Sequence, residues 1–342
     1  MRFLFTADIH LSRYGQDKID GKTGLPERLT SLSRTLDEMA QYCLTNNISS
    51  FVIGGDSLHG KSIIYAIAQD ILLSFFEKYS NLQFIVIDGN HDLSGRGSDV
   101  VSALLPLKNI DNVLWVPFNE TYHDQQNDIL YIPYSADMVK KIVSSEAKIL
   151  ISHLGLNEAV LSSGISVISS LSVKDLLGKY KLVLLGHYHK PQEIINDNIS
   201  VYYVGSPIQL DWGEKNEQKR FLIVDTETLQ VESVPTTQYK RYVELEITND
   251  NKNEVLKEAS ELRKDGHNVK VVMREKVELD KQIEGVNVVD KTEKDITNRG
   301  ITSSMSEEDK LKRYLDIKGI EQNKHETYLK PIVELIQTAE VI

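Results

Sequence analysis

The stretch FIVIDGNHDLSGRG, residues 84–97, sets a run of buried-type residues directly against an amide, an imidazole and a carboxylate. Residues 84–87 read as a strand covered on both faces, because the run is short, β-branched and closed by Asp88-Gly89. Asn90, His91 and Asp92 follow at once. Polar groups beside an apolar surface need hydrogen bonds, water or a metal to satisfy them. Taken alone, the stretch is served as well by a turn in which Asn and Asp cap backbone groups.

The same pattern recurs along the chain. FLFTADIH ends an apolar run with Asp8 and His10, FVIGGDSLH with Asp56 and His59, KILISHLG with His153, and KLVLLGHYH with His187 and His189. Six of the nine histidines therefore follow the carboxyl end of an expected strand, the edge on which layered α/β folds build their sites. One such His is usually a core or turn residue. Repetition across five strands is what that simpler reading fails to explain.

Strands are expected at residues 3–6, 51–53, 84–87, 130–133, 149–152, 182–185, 201–204 and 221–225. Apolar spacing of helical period over 27–44 and 63–76 alternates with the first of them, which predicts α/β layering. Residues 130–225, richer in strands, are expected to form a second sheet packed on the first. After Pro235 a strand, a helix ending at Gly266 and another strand suggest a small α+β domain. The organisation expected is thus a main domain over 1–235, a small domain over 236–283, a polar linker over 284–305 and C-terminal helices over 306–342. Ser306 and Asp309 make a capping-box-like start to the first of those helices, which presents Leu311, Tyr314, Leu315 and Ile317. Pro331 is expected to break an early turn of the last segment.

Composition narrows the chemistry. With 41% hydrophobic and 26% charged residues the chain reads as an ordinary globular protein. MRFLF is too short for a signal peptide or a membrane span, so a cytoplasmic protein is expected. The single cysteine, Cys43, excludes an internal disulfide and a thiolate-rich zinc site, leaving nitrogen and oxygen ligands. A net charge of −11 argues against binding nucleic acid by a broad basic surface. It does allow a cleft in which carboxylates hold cations and invert the local field. Arg13, Lys18, Lys22, Lys61, Arg96 and Lys190 lie in or near the site loops and are candidates for a narrow basic rim.

Two divalent cations about 4 Å apart need a bridging carboxylate and several neutral donors. Asp56 fits the bridge, and Asp8, His10, Asn90, His153, His187 and His189 fit the two shells. The lack of thiolates favours manganese or iron. His59 and His91 are left for acid/base or phosphate-contact roles.

The ordered set ADIH, GGDSLH, GNHD, SHLG and GHYH resembles the calcineurin-like metallophosphoesterase superfamily. GHYHKPQ followed by YYVGSPIQLDWGE is similar to the nuclease subunit of the SbcCD and meiotic-recombination-eleven type. The resemblance covers residues 1 to about 225 by motif and the remainder only by layout. It implies two packed mixed β-sheets flanked by helices, a small α+β capping domain and C-terminal helices. It further implies a manganese nuclease, exonucleolytic on duplex ends and endonucleolytic on single strands, acting with an SbcC-type coiled-coil ABC ATPase, and a homodimer. By resemblance, Asp8, His10, Asp56 and His189 hold one metal and Asp56, Asn90, His153 and His187 the other, with His91 catalytic and His59 its helper. Ser12 and Ser57-Leu58 depart from the family's usual loop residues without touching a ligand position. Other readings are a phosphatase or cyclic-nucleotide phosphodiesterase of the same superfamily, or a scaffold with a decayed site; the presence of every chemistry-bearing position argues against the last.

Overall fold

The structure, a computed structural model, describes residues 1–14, 17–60, 63–95, 97–196, 198–277, 286–291, 305 and 307–329. Lys61, Arg96, Ser306 and Pro331 lie outside the described residues. The chain divides into two compact units, Met1–Tyr242 and Val243–Ile342.

The first unit opens with β1 (Arg2–Thr6), α1 (Glu27–Thr45), β2 (Ser50–Ile53), α2 (Ala66–Lys78) and β3 (Gln83–Ile87). A hairpin of two short strands, β4 (Leu93–Ser94) and β5 (Val101–Ser102), leads to β6 (Val113–Val116), β7 (Tyr122–Asp124), β8 (Ile129–Ile132) and α3 (Met138–Val143). Then come β9 (Ile149–His153), β10 (Leu182–Gly186), β11 (Gln192–Ile195), β12 (Ser200–Tyr203), β13 (Arg220–Asp225) and β14 (Val231–Pro235). These strands make two six-stranded mixed sheets, in the orders β14-β13-β1-β2-β3-β6 and β11-β12-β10-β9-β8-β7. Each has four parallel strands in its interior or at one side, with antiparallel strands completing it. Parallel strands align their carboxyl ends, so the loops after β1, β2 and β3 emerge together, as do those after β9 and β10.

Side-chain alternation places the core. Phe3, Phe5, Val52 and Leu222 of the first sheet meet Tyr131, Ile149, Ile151 and Leu184 of the second in one buried cluster, which makes the pair a sandwich. The opposite residues, Leu4, Phe51, Ile53 and Phe84, pack against Leu29, Leu32, Leu36 and Met39 of α1 and Leu72 and Phe76 of α2. Burying each such side chain contributes about 1.5–3 kcal/mol. Asn47, at φ 55, stops α1, and the Ile48 N–H returns to the Cys43 carbonyl at 2.9 Å in a Schellman closure.

Several expectations are corrected. Residues 221–225 do not join the second sheet: β13 pairs antiparallel with β1. Its residues Phe221 and Ile223 serve the helix side of the first sheet, and Leu222 and Val224 the interior of the sandwich. Helix α2 starts at Ala66 rather than residue 63, since Ile63, Ile64 and Tyr65 face solvent and Tyr65 is extended. The strands β4, β5, β6, β7, β11 and β14 go beyond the strands expected from sequence. Of these, β6, β7, β11 and β14 lie at sheet edges, where apolar patterning is weak, and β7, β11 and β14 expose much of their length. Residues 236–242 belong to the first compact unit: Tyr239 is buried in its core, and Thr236 donates to the Pro207 carbonyl at 2.7 Å.

In the second unit, β15 (Tyr242–Ile247), β16 (Asn268–Met273) and β17 (Asn287–Asp290) form a sheet, with α4 (Lys252–Lys264) between the first two strands. Ile247, Val255, Ala259, Val269 and Val271 are its buried centre. Strand β17 lies in the stretch read as polar linker; Val286 and Val288 pack against that centre, and pairing with β16 completes the strand. Helix α5 (Glu307–Ile317) buries Leu315 and leaves Tyr314 and Ile317 exposed. No described helix is long and apolar enough to cross a membrane.

Candidate metal centre

The loops after β1 and β2 are laced side by side. The Asp8 N–H donates to the Gly55 carbonyl at 3.0 Å, His10 N–H to Asp56 O at 2.9 Å, and Leu11 N–H to Ser57 O at 3.0 Å. Asp8, His10 and Asp56 hold φ between 52° and 55° and His187 holds 96°, a left-handed backbone that ordinary residues adopt at a cost. Tight turning at these positions returns each side chain to a common space. The third loop is tied in by Asp92, a residue of the GNHD motif that sequence reasoning left without a role. Its carboxylate accepts the N–H groups of Leu58 at 2.8 Å, Gly89 at 2.9 Å and Ser57 at 3.3 Å. Gly89 must lack a side chain, because a Cβ there would overlap the Asp56 carboxylate.

The second sheet contributes His153 from β9 and the loop after β10. Nδ1 of His153 lies 2.9 Å from the Gly54 carbonyl. A carbonyl only accepts, so Nδ1 carries the proton and Nε2 turns inward, 3.1 Å from Asn90 Oδ1 and 3.3 Å from Asp56 Oδ2. His187 Nδ1 lies 3.0 Å from the same Asn90 oxygen, while the His187 N–H donates to both Asp8 carboxylate oxygens at 2.9 and 3.0 Å. Nε2 of His10 sits 2.9 Å from Nε2 of His189 and 3.5 Å from Asp56 Oδ2.

All nine residues singled out in the sequence therefore converge. Asp8, Asp56 and His153 form one group able to hold a metal ion, and Asp8, His10 and His189 another. His10, His59 and His91 form a third: His59 Nδ1 is 3.0 Å from His10 Nδ1, and the His59 and His91 rings stack with centroids 4.6 Å apart. His59 thus holds the ring nitrogen of His10 that faces away from Asp56. The His91 N–H donates to Asp56 Oδ1 at 2.7 Å.

Burial and mutual charge shape the protonation of this cluster. Burial pushes Asp8 up to about 6 against the pull of His153 and His189. Burial also acts to raise Asp56, but His153, His10 and His91 overcome it and hold that carboxyl far below the usual range. His153 goes the other way: its burial acts to lower it, but Asp56 and Asp8 outweigh that and raise it to about 9. Burial lowers His10, and it takes His187 down to about 3. For Asp92, burial and the Asp56 and Asp88 carboxylates push the pKa up.

Glu214 is a member of the site that the motifs did not mark as one. Its Oε1 lies 2.8 Å from His189 Nδ1, and its Oε2 accepts from Ser206 Oγ, from the Leu210 N–H and from the fully buried Lys219 ammonium at 2.8 Å. Lys219 also donates to the His189 carbonyl at 2.8 Å and to Glu217 at 2.7 Å. A carboxylate on the outer nitrogen of a His is the usual support of a ligating imidazole, and the WGE of residues 212–214 was the only local signal. Of the basic residues considered for a rim, Arg13, Lys18 and Lys22 are exposed, and Lys190 lines a cavity shared with His187, His189 and Glu214.

The chain is 26% identical over 224 residues to exonuclease subunit 1 of Enterobacteria phage T4, covering 60% of this chain and 62% of that protein. It is 26% identical over 296 residues to the SbcD component of nuclease SbcCD from Staphylococcus epidermidis, covering 75% of each chain. Over 274 residues it is 25% identical to the SbcD component of nuclease SbcCD from Bacillus subtilis, covering 66% of each. The chain thus spans somewhat under two thirds of the phage and Bacillus relatives it matches. Residues 1–191, which carry all nine converging side chains, match the family described as calcineurin-like phosphoesterase, and the chain belongs to that family.

Proposed function

We propose that this protein is a manganese-dependent DNA nuclease, exonucleolytic on duplex ends and endonucleolytic on single strands, that works with an SbcC-type coiled-coil ATPase in double-strand-break processing and recombination. The observation that carries the reading is the convergence of imidazole, amide and carboxylate groups from both sheets on one space, in a phosphoesterase similar to proteins named as nucleases. Outer nitrogens of His153 and His189 are engaged by Gly54 and Glu214, so their inner nitrogens face that space. Nitrogen and oxygen donors without thiolate suit manganese.

In this reading Asp8, His10, Asp56 and His189 hold one cation and Asp56, Asn90, His153 and His187 the other. The pair of cations, when bound, supplies positive charge to a phosphodiester and makes water a better nucleophile. His91, beside the cluster and stacked on His59, exchanges a proton with the reacting phosphate oxygen or leaving group. His59 positions both His91 and His10. Residues beyond the first unit serve as capping segment, linker and partner-binding helices, and the working form is a cytoplasmic homodimer. Arg13, Lys18 and Lys22 steer the DNA backbone toward the cations.

Incubation with manganese and either linear duplex DNA, a single-stranded oligonucleotide or a chromogenic phosphomonoester tests the reading. DNA cleavage abolished by chelation is expected; turnover of the monoester with intact DNA would make the protein a phosphatase instead.

A further inference from the structure

Beside Asn90 the first unit opens into a cavity of about 490 Å³, and Asn90 is the one residue of the converging nine that lines it. Leu93, Phe118 and Tyr134 supply apolar wall, Ser135 and Lys141 part of the polar rim. A cavity of several hundred Å³ with aromatic lining suits a flat organic group of nucleoside size. Lys141 is 3.0 Å from Asp137, itself part of the lining, so the ammonium is matched by a carboxylate and the cavity is poorly suited to a phosphate.

Its two aromatic walls are tied to the metal loop through one buried residue. The Asp88 carboxylate, two positions before Asn90, accepts the Phe118 N–H at 2.8 Å, the Trp115 indole N–H at 3.1 Å and the Ser102 hydroxyl at 2.7 Å. The Asp88 carbonyl accepts the Tyr134 N–H at 2.9 Å. Phe118 and Tyr134 are therefore set at a fixed distance from Asn90, which is how a binding wall is preorganised relative to a reacting centre.

We propose that this cavity seats the nucleobase adjacent to the phosphodiester being cut, stacked on Tyr134 and Phe118. The inference deepens the nuclease reading and rests on it. A nucleotide divides into an anionic half and a flat, uncharged half. The anionic half belongs at the acidic, histidine-rich cluster with its cations, and the flat half needs an apolar aromatic wall within one nucleotide of it. Asn90 is the residue common to both places. Every base has a π-face, so such a wall accepts any base and imposes little sequence preference.

Two measurements decide it. In the first, manganese-dependent cleavage of a single-stranded oligonucleotide is compared with that of strands carrying one abasic nucleotide at successive positions. Cleavage next to the abasic position is expected to fall by about tenfold, the size of one lost stacking contact, and equal cleavage at every position overturns the proposal. This arm needs no variant. In the second, a strand containing 2-aminopurine is bound to the protein with calcium in place of manganese, so that no turnover is required. Stacking is expected to quench its fluorescence with the wild type and with Tyr134→Phe but much less with Tyr134→Ala, and identical quenching in all three overturns it. If the wild type cuts no DNA yet quenches in this pattern, the nuclease reading falls while the base pocket stands.

Discussion

Nδ1 of His189 lies 2.8 Å from a carboxylate oxygen of Glu214, a residue 25 positions further along the chain. The contact leaves Nε2 of His189 as the nitrogen that faces His10 and Asp8. Glu214 is held in turn by Lys219, so a buried charge pair stands behind one imidazole of the cluster. Replacing Glu214 with Gln keeps the shape and removes the charge. Manganese affinity, read by calorimetry, is expected to fall by about tenfold or more; wild-type affinity would remove Glu214 from the site.

The same carboxylate makes an acid-side prediction. Burial acts to raise Glu214, yet His189 and Lys219 outweigh it and bring it down to about 2 from an ordinary 4.5. A lowered carboxyl stabilises the fold fully above its unfolded value and stops doing so as pH falls through the folded one. The stability gap between wild type and Glu214→Gln should therefore shrink as pH falls from 4.5 to about 2. A gap constant over that window contradicts the assignment.

Variants of Asp56 and His91 are expected to separate metal holding from proton transfer. Asp56 reaches toward both His10 and His153, so Asp56→Ala should strip bound manganese and activity together. His91→Ala should lower turnover by about a hundredfold while elemental analysis still finds both ions. Metal loss in the second variant would move His91 into the ligand set.

Asp92 is expected to matter for stability before it matters for chemistry. Its removal leaves the N–H groups of Ser57, Leu58 and Gly89 buried without their acceptor, at about 1–3 kcal/mol each. Asp92→Ala should lower the thermal midpoint by several degrees or more and loosen the loops of Asp56 and Asn90 together. A wild-type melting curve would show that these loops are held by something else.

Cys43 lies in the core between α1 and the first sheet, where burial pushes its thiol up to about 12. No reaction with 5,5′-dithiobis(2-nitrobenzoate) is expected at about pH 8 until the protein is unfolded. Since the folded pKa is raised from an ordinary 9, the stability linked to this thiol is complete below that pH and is lost as pH rises toward about 12. Rapid labelling of the native protein would place Cys43 at the surface.

A chain ending at Met305 tests the C-terminal segment. If the proposed function holds, manganese-dependent cutting of short single strands should survive, and co-purification with an SbcC-type ATPase and ATP-stimulated duplex cutting should be lost. Aggregation or loss of the chain's own activity would assign α5 to the fold instead.

What could be read along the chain were the features carried by neighbouring residues. Apolar runs such as residues 3–6 and 182–185 declare buried strands, and Asp8, Asp56, Asn90 and His187 directly after such runs mark a gathering of polar groups at the strands' carboxyl ends, because both signals are local. Helix α1 likewise advertises its buried stripe, and Cys43 alone excluded a thiolate site. Tertiary structure decided what depends on distant segments meeting. Strand β13 returns to β1 from the far end of the first unit, a pairing that its own apolar pattern would satisfy equally well in either sheet. Edge strands such as β11, where only Ile194 packs against the core, carry too little apolar pattern to announce them and are completed by pairing with β12. Glu214 behind His189, Asp92 across two loops and Phe118 with Tyr134 beside Asn90 are each polar or aromatic residues of ordinary appearance in sequence. Hydrophobic period encodes which residues are buried, but the partner of a buried polar group is chosen only when the folded chain brings one within hydrogen-bonding distance.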